Sequence, residues 1–134
     1  MSTGTLFCDG GSRGNPGPAA AAAILYAPDG RELGQRRAFL GHATNNVAEY
    51  RGVLLGLELA RAHGLEELVL KLDSELIVRQ LSGVYRVKDA GLKPLWQSCR
   101  RELAAFRRWE ACHVPREQNA AADRLVNLAL DEQA

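Results

Sequence analysis

Cysteine is scarce and unpatterned in this chain. Cys8, Cys99 and Cys112 are an odd number with no CxxC spacing, which indicates neither a disulfide framework nor a zinc site and leaves buried free thiols as the reading. No apolar run approaches the roughly 18 residues of a membrane span, and the opening MSTGTLF has neither the basic nor the apolar block of a signal peptide. The expectation is a cytoplasmic protein without membrane association. Signatures of covalent and zinc catalysis are missing too: there is no GxSxG elbow, and His42, His63 and His113 are scattered without HExxH spacing. The loop GGSRGNPG lacks the Gly-Lys-Ser/Thr ending of a P-loop. With no repeat or linker, 134 residues and 46% apolar content, residues 1–134 read as one domain with a real core.

Bulk charge, +1, names no partner, but its distribution does. From Arg79 to Arg108 eight basic residues face only Asp89 and Glu102, a local +6 that attracts a polyanion. Around that segment the pattern alternates strands and helices. TLFCDG reads as a central strand, and GNPGP as a turn in which Pro16 fixes φ and Gly17 is free to take φ > 0. AAAAAILY is ambiguous between helix and strand and leans to strand; residues 29 to 40 read as a further strand. Thr44 and Asn45 open a helix that runs to His63 and stops at Gly64. A strand from Leu68 to Asp73, a short helix from Glu75 to Leu81 and an amphipathic helix over residues 92 to 106 follow. A strand from Trp109 to Val114 and a helix opened and capped by Asn119 complete the order. The fold class is α/β: a mixed sheet covered by helices.

Four carboxylates sit where this periodicity puts buried faces or strand ends. Asp9 ends the first strand, and Asp73 ends the strand before the short helix. Glu49 shares a helical stripe with Gly52, Val53, Gly56 and Ala60, and Asp123 one with Val126 and Leu130. Turn chemistry, capping or the helix dipole accounts for each acid singly. Four together are another matter, because an ionised carboxylate leaves water only when a cation or donors compensate. Oxygen ligands without histidine favour Mg²⁺ or Mn²⁺ over zinc.

Through FCDGGSRGNPGP, TNNVAEYRG, LKLDSELIVRQL and VPREQNAAADRLVNLA, in that order, almost the whole chain resembles type I ribonuclease H. The resemblance implies a ribonuclease H-like fold: a five-stranded mixed sheet, three antiparallel strands then two parallel, flanked by helices. It also settles the alanine-rich segment as strand. It implies a monomeric endoribonuclease that cuts the RNA strand of RNA/DNA hybrids with two divalent ions, leaving 5′-phosphate and 3′-hydroxyl ends. On this likeness Asp9, Glu49, Asp73 and Asp123 are the catalytic acids and metal ligands. Asp9 bridges the two ions, Glu49 and Asp73 complete the leaving-group site, and Asp123 helps hold the ion that activates water. Gly11, Ser12, Asn15, Asn45 and Asn46 correspond to groups in the hybrid's minor groove, and Thr44 to a contact near a DNA phosphate.

The chain departs from the family pattern in places. Glu75 stands at a substrate-binding position often held by glutamine. Only SGVYRVKDAG fills the place of a long basic insertion, which marks the short, handle-less branch and shifts substrate affinity onto Arg86, Lys88, Lys93 and the arginines from 100 to 108. The family's auxiliary histidine has two counterparts, His113 by spacing and Arg116 by its place in the loop. Rival readings are a non-catalytic nucleic-acid-binding module and another nuclease of the same superfold, a resolvase or exonuclease.

Overall fold

Leu6 and Cys8 are wholly buried on one side of the first strand and Phe7 is half-buried on the other, and the strand is paired along both edges, in the middle of the sheet. The computed structural model describes residues 3–133. In chain order its elements are β1 (Thr3–Ser12), β2 (Gly17–Tyr26), β3 (Glu32–Ala43), α1 (Asn45–Ala62), β4 (Glu67–Leu72), α2 (Glu75–Leu81), α3 (Lys93–Leu103), β5 (Arg108–His113), a 3₁₀ turn (Arg116–Asn119) and α4 (Ala120–Asp131). The sheet order is β3-β2-β1-β4-β5, with β1, β2 and β3 antiparallel and β4 and β5 parallel to β1. This is the expected five-stranded mixed sheet.

The alanine run is strand despite its helix propensity, because β2 is paired on both edges and buried on both faces. Ala20 and Ala22 meet Val126, Ala129 and Leu130 of α4 on one face. Ala23 and Leu25 join α1 and α3 on the other. Small side chains let both helices come close to the same strand.

Two local expectations are corrected. The third strand starts at Glu32 rather than residue 29, because the Asp29 carboxylate accepts from Arg31 N at 3.0 Å and Gly30 takes φ +88° to close the turn. It runs on to Ala43, through Gly41 at φ +77°. In the first loop the positive φ falls at Gly14 (+86°), not Gly17. What position 17 requires is space, since a Cβ there would lie 2.1 Å from Arg13 O.

Backbone contact between β1 and α1 fixes the place where the acids gather. A Cβ on Gly52 would lie 2.4 Å from Asp9 O, and one on Gly10 would lie 2.1 Å from Ala48 O. The helix therefore rests directly on the strand, with Asp9 and Glu49 beside the point of contact. Tyr50, wholly buried next to Glu49, donates its hydroxyl to Gln80 Oε1 at 2.5 Å and so ties α1 to α2. Among the described residues no helix is long and apolar enough to cross a membrane.

Candidate active site

Pairing between β1 and β4 ends at Phe7 and Lys71. Asp9, still in β1 and opposite Ala22, therefore stands beyond the end of β4, and Asp73 follows the last residue of that strand. Both lie at the carboxyl end of a parallel strand pair, where open α/β sheets place ligand sites. Glu49 reaches the same point from the first turns of α1. One carboxylate oxygen from each of Asp9, Glu49 and Asp73 lies within 4.8 Å of the others.

The electrostatic consequence is large. Burial, followed by the charges of Asp73 and Asp123, pushes the Asp9 carboxyl up from its ordinary 3.8 to about 7. Burial first and the Asp9 and Asp73 charges next raise Glu49 well above the usual carboxylate range, with Arg116 the one opposing charge. Glu49 Oε2 is buried without a hydrogen-bond partner among the described residues. An orphaned carboxylate oxygen beside two further acids is a donor set made for a hard divalent cation. The residues fit such an ion.

Asp73 has no capping duty to explain it, because Ser74 caps α2 by accepting from Ile77 N at 3.3 Å. Thr44 likewise caps α1, its hydroxyl oxygen accepting from Val47 N at 3.2 Å. Asp123 lies outside the 4.8 Å group, but its charge adds to the upward push on the Asp9 carboxyl. Asp9 and Glu49 are buried as the periodicity requires, whereas Asp73 and Asp123 are half-buried at the mouth.

Asn119 corrects the sequence reading. It makes no side-chain cap to α4; it is 1% exposed, and its amide donates to Cys8 O at 2.9 Å and lies 3.5 Å from Asp73 Oδ2. An asparagine just before a helix looks like a cap, and only its position four residues ahead of Asp123 hints otherwise.

The acids open into a cleft of about 590 Å³ that also takes in Gly11, Ser12, Arg13, Asn45, Asn46, Arg116 and Asn127. One wall is knitted from the glycine-rich loop and the start of α1. Ser12 N donates to Asn45 Oδ1 at 2.9 Å, and Asn45 N donates to Asn15 Oδ1 at 3.0 Å. Both amide oxygens are thus occupied, which turns the NH₂ groups outward as donors. Asn15 and Thr44 line the adjoining groove with Asn46. His113 is the exposed last residue of β5 and does not line the cleft; Arg116 does. Glu75, exposed at the start of α2, pairs with Arg79 at 2.9 Å and is also outside the lining.

Strand order, helix placement and an acid-lined cleft at the β1/β4 ends define a ribonuclease H-like protein. The Reverse transcriptase-like family profile matches residues 7–129. The bifunctional protein Rv2228c of Mycobacterium tuberculosis is 44% identical over 130 residues, which cover 96% of this chain and 36% of that protein. Ribonuclease HI of Halobacterium salinarum is 40% identical over 126 residues, 94% of this chain and 63% of that one. The solved Halobacterium RNase H1 superposes with a TM-score of 0.94 at 39% identity, covering 97% and 98% of the two chains. LC11-RNase H1, solved in complex with RNA/DNA hybrid, superposes at 0.93 with 38% identity over 97% and 98%. The chain belongs to the type I ribonuclease H family, in its short, handle-less form. It spans about a third of the length of the mycobacterial relative (36%) and 63% of the Halobacterium one.

Proposed function

We propose that this chain is a single, monomeric ribonuclease H domain that hydrolyses the RNA strand of RNA/DNA hybrids endonucleolytically, with two divalent ions, Mg²⁺ or Mn²⁺. The products are a 5′-phosphate and a 3′-hydroxyl. One observation carries the reading: three carboxylates from β1, α1 and the end of β4 converge within 4.8 Å, one of their oxygens buried and unpartnered. Such a nest is costly in metal-free protein and useful only when cations neutralise it. LC11-RNase H1, so similar over its length, is described with an RNA/DNA hybrid, which supports the substrate class.

Asp9, Glu49, Asp73 and Asp123 are the residues that would hold the ions: Asp9, central to the four, would serve both, Glu49 and Asp73 would complete one set of ligands, and Asp123 would contribute to the other. Bound ions supply activation of the attacking water and neutralisation of the departing oxygen in an in-line displacement. The protein's own part is to fix those acids. Gly10 and Gly52 let β1 and α1 touch, Ser74 relieves Asp73 of capping, and Asn119 anchors the approach to α4. Arg116, the one cation whose charge lowers Glu49, balances the scissile phosphate, and we favour it over His113 as the auxiliary group.

Selection for the hybrid falls to the loop wall. The outward NH₂ groups of Asn15 and Asn45 donate to acceptors in the minor groove, with Gly11, Ser12 and Asn46 beside them. Thr44, whose oxygen already caps α1, keeps its hydroxyl proton for a DNA phosphate. Glu75 accepts from a 2′-hydroxyl once its exposed pair with Arg79, worth little in water, gives way. The 2′-hydroxyl is what separates RNA from DNA.

A labelled-substrate panel tests the proposal: RNA/DNA hybrid, duplex DNA and duplex RNA, each with Mg²⁺, Mn²⁺ or chelator. Cleavage of hybrid RNA alone, with either metal and not with chelator, is expected, with phosphatase-sensitive 5′ ends. Equal cutting of duplex DNA would point to a resolvase or exonuclease, and binding without cutting to a non-catalytic module.

A further inference from the structure

Asp123, like Asp73 with the Asn119 amide 3.5 Å from its Oδ2, has a side-chain amide beside it, and here the amide comes from its own helix. Asn127, one helical turn further along α4, lies with Nδ2 3.1 Å from Asp123 O and 3.5 Å from Asp123 Oδ2. The other end of that amide faces the glycine-rich loop. Arg13 Nη2 donates to Asn127 Oδ1 at 3.2 Å, to Asn127 O at 3.5 Å and to Asp131 Oδ1 at 2.7 Å. A primary amide has one accepting and one donating end, and a guanidinium can only donate. Arg13 therefore dictates which way the Asn127 amide lies: oxygen toward the arginine, NH₂ toward the acid. Turned over, the amide would set an oxygen against the Asp123 carboxylate.

Stability does not explain this arrangement. The Arg13–Asp131 pair is 45% and 62% exposed at its side chains, so as an ion pair it contributes little. Its effect is directional. It reaches from the substrate-facing loop, beside Ser12, to the helix that carries Asp123, across 114 to 118 residues of sequence.

We infer that Asn127 and Arg13 are positioning residues for Asp123: Asn127 holds one carboxylate oxygen, leaving the other for a cation, and Arg13 fixes the amide orientation that permits this. The inference rests on the proposed role of Asp123. Partners that orient a ligand are commonly worth about 10- to 100-fold in metal affinity or activity.

The experiment compares Asn127→Ala, Asn127→Asp, Arg13→Ala, Arg13→Lys and the Arg13→Ala/Asn127→Ala double variant with the unaltered chain. The readouts are kcat and KM on labelled hybrid, Mn²⁺ affinity by calorimetry, and melting in chelator. Asn127→Ala is expected to lower kcat and weaken Mn²⁺ binding by about tenfold, with KM nearly unchanged. Asn127→Asp, which keeps the size and removes the donor, falls at least as far. Arg13→Ala follows in the same direction, Arg13→Lys restores most of the loss, and the double variant is no worse than Asn127→Ala. Three results would overturn the inference: Mn²⁺ affinity and kcat at the unaltered level in Asn127→Ala, multiplicative losses in the double variant, or a rise in KM with kcat kept in Arg13→Ala. Asp123→Asn separates the two layers. If it cleaves normally, the proposed role of Asp123 fails; if it is inactive while Asn127→Ala is unaffected, only the positioning inference fails.

Discussion

The side-chain amide of Asn119 donates to the carbonyl oxygen of Cys8 at 2.9 Å, fastening the segment before α4 to β1 one residue ahead of Asp9. This single bond joins positions 111 residues apart and sets how the helix bearing Asp123 meets the strand bearing Asp9.

Asn119→Ala leaves the Cys8 carbonyl without that donor in a dry place. The expected cost is about 1–3 kcal/mol, seen as a lower urea midpoint at unchanged slope. Cleavage of the hybrid should fall further than the folded fraction does. Equal stability in the two proteins would contradict the role given to the bond.

Gly52→Ala adds a methyl where Asp9 O lies 2.4 Å away. Backbone cannot yield as a flexible side chain does, so α1 must lift from β1 and carry Glu49 away from Asp9. We expect about 1–3 kcal/mol of destabilisation together with weaker Mn²⁺ binding. Wild-type metal affinity in a folded Gly52→Ala protein would count against close packing as the device that sets the acids.

Raised carboxyl pKa values make metal-free stability depend on pH in a definite direction. Asp9, at about 7 when folded against an ordinary 3.8, binds more protons folded than unfolded between those values. Its contribution is complete below the ordinary value and is lost as pH rises through the folded one. Asp9→Asn removes this loss. In chelator its melting temperature should gain on the unaltered protein between about pH 5 and about pH 8. A gap independent of pH would contradict the anionic nest.

Basic residues outside the cleft should govern affinity rather than chemistry. Arg86 and Lys93 border a groove with Tyr85 and Trp96, in the segment that replaces the longer insertion of relatives. Replacing Arg86, Lys88 and Lys93 with alanine should raise KM with kcat nearly constant. It should also reduce the slope of log affinity against log salt by about one for each phosphate that is no longer neutralised. An unchanged slope would place the hybrid elsewhere. Arg100 is unlike these residues: it donates to Leu81 O at 2.7 Å and lies over the Trp96 and Trp109 rings, so its role is structural.

Much of this is legible in sequence, for identifiable reasons. The stripe of Gly52, Val53, Gly56 and Ala60 places Glu49 inward because helical periodicity is local and strong, and the motif order implies the sheet. Alanine propensity leaves β2 ambiguous, since what decides it is pairing on both edges, a tertiary fact. Asn119 reads as a cap because capping residues and buried amides share a composition. The Arg13–Asn127–Asp123 chain has no local signal at all; loop and helix meet only once the sheet is built. Periodicity overstates the burial of Asp73 and Asp123, since strand-end and helix-start positions line the mouth rather than the floor.

The central claim is that the acids repel one another until cations enter, and thermal melting of the unaltered chain and of Asp9→Asn, with chelator and with Mg²⁺, tests it most directly. Binding to the folded state alone raises stability by about 2.7 kcal/mol when the ion stands at about 100 times its Kd. The account predicts a clear Mg²⁺-dependent rise in melting temperature for the unaltered chain and little or none for Asp9→Asn. Equal shifts in both proteins, or no shift in either at saturating Mg²⁺, would contradict it.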